Sequence, residues 1–299
     1  MATRIAWLLN LDAELELEDP RHYKPSVAMA ARIDQLSARM SLLLREGDCV
    51  VGRDVELREC ALALAFSPTP SALARIIQAG LPVPAAPTLE QLARVNGRAF
   101  CAELGQTLPG ARYVRSLAEL LETLQKPEPR TRGWLLKRDF GFAGRERRRV
   151  FGAELDPSTL GFAKRSFARK QGLQVEPWLD RTQDVAQHGY LFASGELLVG
   201  DVMGQHCDAH GSWVSSRALH EDELTRHERS LLQSELTKVA DALARAGYFG
   251  PFGVDAYRYL DLDEQLRFQP RSEINARFSM GYPRGLLERA LAVPGYQPR

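Results

Sequence analysis

Residues 247–284 read GYFGPFGVDAYRYLDLDEQLRFQPRSEINARFSMGYPR, two β-compatible segments on either side of a charged turn. Phe252 to Leu260 is rich in aromatic and β-compatible residues, the charged Asp261-Leu-Asp-Glu-Gln is a turn, and Leu266 to Arg277 returns with period-two alternation. The pattern predicts a hairpin whose return strand carries Phe268, Pro270, Ser272, Ile274 and Ala276 on one face. Gln269, Arg271, Glu273, Asn275 and Arg277 take the other. Asn is depleted in strands and Pro removes a ladder hydrogen bond, so this segment gives up strand propensity to keep particular groups in place. Asp255 on the outgoing strand adds a carboxylate beside Glu273 and Asn275. Hard oxygen donors without a thiol or imidazole suit Mg²⁺.

Gly253-Val-Asp255 followed by Glu273-Ile-Asn275-Ala-Arg277 resembles the metal-binding end of the ATP-grasp superfamily, with a core of the glutathione synthetase or D-alanine ligase type. The resemblance implies an α+β fold in which two lobes sandwich ATP. It also implies that Asp255, Glu273 and Asn275 hold Mg²⁺, two ions in that pattern, and that Arg277 meets the phosphates or an acyl phosphate.

The other parts of the pattern occur upstream in the same order. Leu89 to Gly105 is helical with a break at Asn96-Gly97, and Arg98 heads the second half. The resemblance places Arg98 where the family has its first nucleotide-contacting lysine; a surface arginine on an amphipathic helix is the other reading, and a planar guanidinium differs in geometry from an ammonium. Gly133-Trp-Leu-Leu-Lys137 is a strand that runs into Asp139-Phe-Gly141-Phe-Ala-Gly144-Arg145. This resembles the family's strand lysine and the flexible loop over the β- and γ-phosphates, where glycines let backbone N–H groups approach oxyanions. The loop is expected to run from Gly141 to Arg149, with Arg147 to Arg149 on a solvated face. Leu173 to Leu179 ends a strand in Glu176, and the resemblance makes this the adenine site, with Trp178 or Leu179 as apolar cover. Asp184, eight residues on, falls at the family's ribose-binding acid or is simply a cap.

Composition bounds the alternatives. The 299 residues suffice for two or three domains, 44% are hydrophobic, and a net charge of +1 gives no global attraction to nucleic acid or a membrane surface. Cys49, Cys60, Cys101 and Cys207 are scattered without paired spacing and read as reduced, mostly buried thiols. One basic residue before a short apolar run, then Glu14, Glu16 and Glu18, argues against a signal peptide, and no apolar run approaches the roughly 20 residues of a membrane span. The expected location is cytoplasmic. His206-Cys207-Asp208-Ala-His210 reads as turn chemistry, since no distant second pair closes a tetrahedral zinc site.

Three units are expected: residues 1–85 as a small Rossmann-like α/β layer without a glycine fingerprint, 86–178 as the central lobe with the glycine loop, and 179–299 as the C-terminal lobe with the metal site. Ser71 is the expected N-cap of a helix over 72–79. A long helix is expected from Glu221 to Ala246, and a short one from Gly285 to Leu291. The resemblance implies a ligase that activates a small-molecule or peptide carboxylate as acyl phosphate for an amine or thiol, with Lys137 and Arg277 offsetting charge at the reacting groups. A small-molecule kinase and a non-catalytic nucleotide-binding module are the alternatives. A homodimer is left open.

Overall fold

The computed structural model describes residues 4–24, 27–41, 44–54, 57–126, 133–141, 146–208 and 213–287. It opens with β1 (Ile5–Leu8), α1 (Ala13–Glu18), α2 (Val27–Ser41), β2 (Cys49–Val50), β3 (Leu62–Ala65) and α3 (Pro70–Gln78). The strands form a parallel sheet in the order β2-β1-β3. All four residues of β1 and of β3 are buried, as expected of a parallel sheet covered on both faces. At the start of α3 Thr69, not Ser71, occupies the N-cap, because Pro70 fits the first helical position where its missing N–H costs nothing. Ser71 instead gives its hydroxyl and backbone N–H to Glu16 of α1.

The middle of the chain holds α4 (Leu89–Asn96), α5 (Arg98–Glu103), β4 (Arg112–Val114), α6 (Leu117–Gln125), β5 (Trp134–Arg138), β6 (Arg147–Val150), α7 (Pro157–Ala168) and β7 (Leu173–Pro177). Its sheet is antiparallel in the order β4-β7-β5-β6. Thr88 and Gln91 close a reciprocal capping box at the head of α4, and the Asn96-Gly97 break separates α4 from α5 as the sequence predicts. The expected loop from Gly141 to Arg149 is shorter than predicted. Arg147 to Arg149 pair with β5, because alternating register with Leu135 and Lys137 satisfies their backbone groups.

The last unit contains β8 (Asp180–Leu191), β9 (Leu197–Cys207), β10 (Trp213–Ala218), α8 (Arg226–Arg245), β11 (Gly250–Leu260) and β12 (Leu266–Asn275). Its antiparallel sheet is ordered β10-β9-β8-β11-β12, and α8 covers one face with Leu232, Leu236, Val239 and Leu243. The long helix starts at Arg226, not Glu221, because Thr225 caps it and pairs reciprocally with Glu228; Glu221–Glu223 form a separate helical turn. Near the C-terminal end the helical turn Pro283–Leu287 is described, and residues 288–299 lie outside the described set.

The predicted hairpin is present, with Asp255 opposite Glu273 and Gly253 opposite Asn275. Its alternation is not strict. Two extra residues bulge on β12 between the Glu273 and Gln269 pairings, where Pro270 lacks a ladder N–H. Arg271, within this bulge, meets Glu235 of α8 and the carbonyls of Cys101 and Gly105.

The parallel sheet does not stand apart. Ile5, Trp7, Leu9 and Phe66 share one buried core with Phe278, Tyr282 and Leu286, and the Trp7 and Phe278 rings meet edge to face at 4.9 Å. Among the described residues no helix is long and apolar enough to cross a membrane.

Candidate active site

Three local devices bring the chemistry together. The hairpin register sets Asp255 and Glu273 directly across from each other. Asn275 donates from Nδ2 to Asp255 Oδ2 at 2.9 Å, and Gln205 of β9 donates to Oδ1 at 3.3 Å. Asn96, at the end of α4, pairs both halves of its amide with the backbone of Ala276, 2.9 Å for the accepted bond and 3.3 Å for the donated one. This lock sets the head of α5 over the end of β12. Arg98 therefore reaches Glu273, Nη2 to Oε1 at 3.0 Å, while its Nε donates to the carbonyl of Arg138 at 2.9 Å.

On the central sheet Lys137 and Glu176 sit on adjacent strands with Nζ 2.6 Å from Oε2, both buried. Trp178 follows at the strand end, flanked by the Phe151 ring at 5.4 Å and by the Arg149 guanidinium 4.3 Å over its face. Asp184 lies within β8 rather than at a cap, and accepts from Arg181 at 3.1 Å; Arg181 in turn stacks 3.9 Å over Tyr257.

Arg277 stands where β12 ends. Its guanidinium binds Glu14 of α1 through Nε and Nη2, donates to the Phe278 carbonyl at 3.1 Å, and lies 5.0 Å over the Phe66 ring. The shared aromatic core holds this junction in place, since the Phe278 N–H donates to the Phe66 carbonyl at 3.0 Å.

Arg98, Lys137, Trp178, Arg149, Arg181, Asp184, Gln205, Asp255, Glu273, Asn275, Arg277 and Glu14 line one cavity of about 640 Å³, whereas Glu176, expected at the adenine site, is not among its lining residues. It runs from Trp178 and Leu179, past Lys137, Asp255, Glu273 and Asn275, to Arg277, and continues beyond to Glu14, Leu11, Leu36, Phe66 and Met280. Gly141 lines it as well, whereas Gly144 and Arg145 lie outside the described residues, as does His210.

The electrostatics separate the two facing acids. Burial, with the Glu273 carboxylate next to it, pushes Asp255 up to about 7. Burial opposes ionisation of Glu273 too, but Arg98, Lys137 and Arg277 outweigh it and hold this carboxyl below the usual range. Burial lowers the Lys137 ammonium, with Glu176 opposing. One carboxylate already compensated, one raised, and the Asn275 amide beside Asp255 form a donor set that a hard divalent cation fits: its charge would relieve Asp255. Among the described residues no three His, Cys, Asp or Glu side chains gather as a metal site.

No protein-family model and no curated protein matches this sequence. Solved structures do. Biotin carboxylase from Campylobacter jejuni, solved with a β,γ-ATP analogue, aligns with a TM-score of 0.55 at 13% identity over 94% of this chain and 67% of its own. D-alanyl-alanine synthetase A from Vibrio cholerae aligns at 0.50 and 11% over 92% and 88%, and carboxyaminoimidazole ribonucleotide synthase from Aspergillus clavatus, complexed with ATP, at 0.50 and 17% over 93% and 71%. The chain has the ATP-grasp fold.

The cavity is lined by Arg98, Lys137, Gly141, Trp178, Leu179, Asp184, Asp255, Glu273, Asn275 and Arg277. Glu176 stands behind Lys137. Glu14, Gln205 and Arg181, to which no motif in the sequence points, line the cavity too, as does Arg149, expected on a solvated face. Glu14 had a signal, an acid alternation directly after a buried strand, but nothing local says that it faces Arg277.

Proposed function

We propose that the protein is an ATP- and Mg²⁺-dependent ligase that activates a carboxylate for attack by an amine or thiol. The observation that carries this reading is the continuity of the cavity. Beyond the oxygen donors and Arg277 it extends to the mouth of the parallel sheet, leaving room for a second substrate. Ligands of open α/β sheets sit outside the carboxyl ends of the strands, and Leu11 and Phe66 lie there, after β1 and β3.

Asp255, Glu273 and Asn275 would hold Mg²⁺, which supplies charge neutralisation for phosphates. Trp178 and Leu179 offer apolar cover to a base at one end, and Asp184 an acceptor for a ribose hydroxyl. Lys137 and Arg98, both held in place by carboxylates, present fixed positive charge along the cavity without reorganisation. Arg277 is the group suited to a carboxylate, because its planar fork spans two oxygens. At the far end Glu14 with Leu11, Leu36, Phe66 and Met280 favours a substrate with a cationic or polar nitrogen and an apolar body.

The test is chemical trapping. With MgATP and a panel of carboxylates, hydroxylamine should convert an acyl phosphate into a hydroxamate as ADP is released. A stable phosphate ester with every productive substrate, and no hydroxamate, replaces this reading with a small-molecule kinase.

A further inference from the structure

The register of β5 with β6 sorts the arginine run onto two faces. Lys137 stands opposite Arg147 and Leu135 opposite Arg149, and all four line the main cavity. Arg148, between the two arginines, turns to the other face, where its guanidinium lies 4.9 Å over the Phe162 ring. One side of the central sheet thus presents Lys137, Arg147 and Arg149 together. Lys137 is joined to Glu176, and Arg149 lies over Trp178.

The facing wall of the cavity brings a cation as well. Arg181, near the start of β8, lines it and is fixed by Asp184 at 3.1 Å and by the Tyr257 ring at 3.9 Å. Burial, with Arg181 and Arg149 close by, disfavours the charge of Arg147 by more than Asp208 favours it, and holds this guanidinium below its ordinary value. Such an arrangement costs stability. Two arginines that repel each other across one cavity are explained by an anion between them, which turns one repulsion into two attractions and on which a cleft of this shape focuses the field. The planar guanidinium fork matches phosphate oxygens.

We propose that Arg147 and Arg181 clamp a polyphosphate chain from opposite walls of the cavity, in addition to Lys137 and Arg98. This rests on the nucleotide part of the reading above and not on its carboxylate chemistry. The chain is either the triphosphate of a nucleotide or free inorganic polyphosphate, since both offer the same oxygens to the two forks.

The experiment compares four full-length proteins: natural, Arg147→Gln, Arg181→Gln and Arg148→Gln. Each is titrated calorimetrically with the Mg²⁺ complex of a non-hydrolysable ATP analogue and, separately, with inorganic tripolyphosphate. Losing a charge-assisted contact to phosphate should weaken binding at least ~10-fold in Arg147→Gln and in Arg181→Gln. Arg148→Gln removes the same charge from the other face and should stay within about twofold. Without ligand, Arg147→Gln should melt no lower than the natural protein, because it removes a charge that its neighbours repel. Undiminished binding by Arg147→Gln or Arg181→Gln, an equal loss in Arg148→Gln, or a clearly lower melting temperature of ligand-free Arg147→Gln overturns the proposal. So does a natural protein that binds neither probe. If tripolyphosphate alone binds, with the expected losses, the clamp stands and the nucleotide reading falls; if both bind but no carboxylate yields a hydroxamate, the clamp stands and the ligase reading falls.

Discussion

Lys137 and Glu176 hold each other across neighbouring strands of the central sheet, Nζ 2.6 Å from Oε2, with less than a tenth of either side chain exposed. Each would be an uncompensated buried charge alone. Lys137→Met or Glu176→Leu should therefore cost ~3 kcal/mol or more, whereas the double variant should cost clearly less than the sum. Urea unfolding of the four proteins measures it; additive losses would mean that the pair carries no coupling.

Glu273→Gln removes a charge and keeps an amide oxygen to accept from Arg98. Its stability should fall by only about 1 kcal/mol. Mg²⁺-dependent ADP release should fall at least ~10²-fold, since a catalytic metal contact is worth several kcal/mol and each ~1.4 kcal/mol is tenfold. A variant turning over at full rate removes Glu273 from the metal site.

Asp255 gives a pH signature with a definite sign. Its carboxyl titrates near 7 in the folded chain against an ordinary 3.8, so the folded state binds this proton more tightly. The stability it contributes is present below the ordinary value and is lost as pH rises through about 7. Metal-free protein should thus lose stability over that window relative to Asp255→Asn, and Mg²⁺ affinity should rise across it as the ligand deprotonates. Melting both proteins across the window checks the first statement and calorimetric Mg²⁺ titration the second. A constant difference between the two proteins contradicts the assignment.

Arg277→Lys keeps the charge but loses the fork and the contact with Phe66. Hydroxamate formation should drop by ~10-fold or more while binding of a fluorescent ATP analogue stays within about twofold. Equal losses in both would place Arg277 on the nucleotide rather than on the carboxylate.

The hairpin was legible because its evidence is local. Alternation set Asp255, Glu273 and Asn275 on neighbouring strands, and the register pairs Asp255 with Glu273. Alternation alone carries no sign of the two extra residues between the Glu273 and Gln269 pairings, where Pro270 lacks a ladder N–H. The arginine run at 147–149 looked like a loop because its charges are exposed, yet its backbone pairs with β5. Glu14 was beyond local reading: 263 residues separate it from Arg277, and only the packing of the parallel sheet against the last unit brings them together.

That packing has a consequence for synthesis. Trp7 and Phe66 share their core with the rings of Phe278 and Tyr282, which are made more than two hundred residues later. The parallel sheet therefore leaves the ribosome with this aromatic face only partly covered, by Leu36 and Met40 of α2, until nearly all of the described chain has been translated. Contacts of such high sequence separation form late, and the waiting surface is what chaperones bind. The parallel sheet is thus synthesised well before the residues that complete its burial.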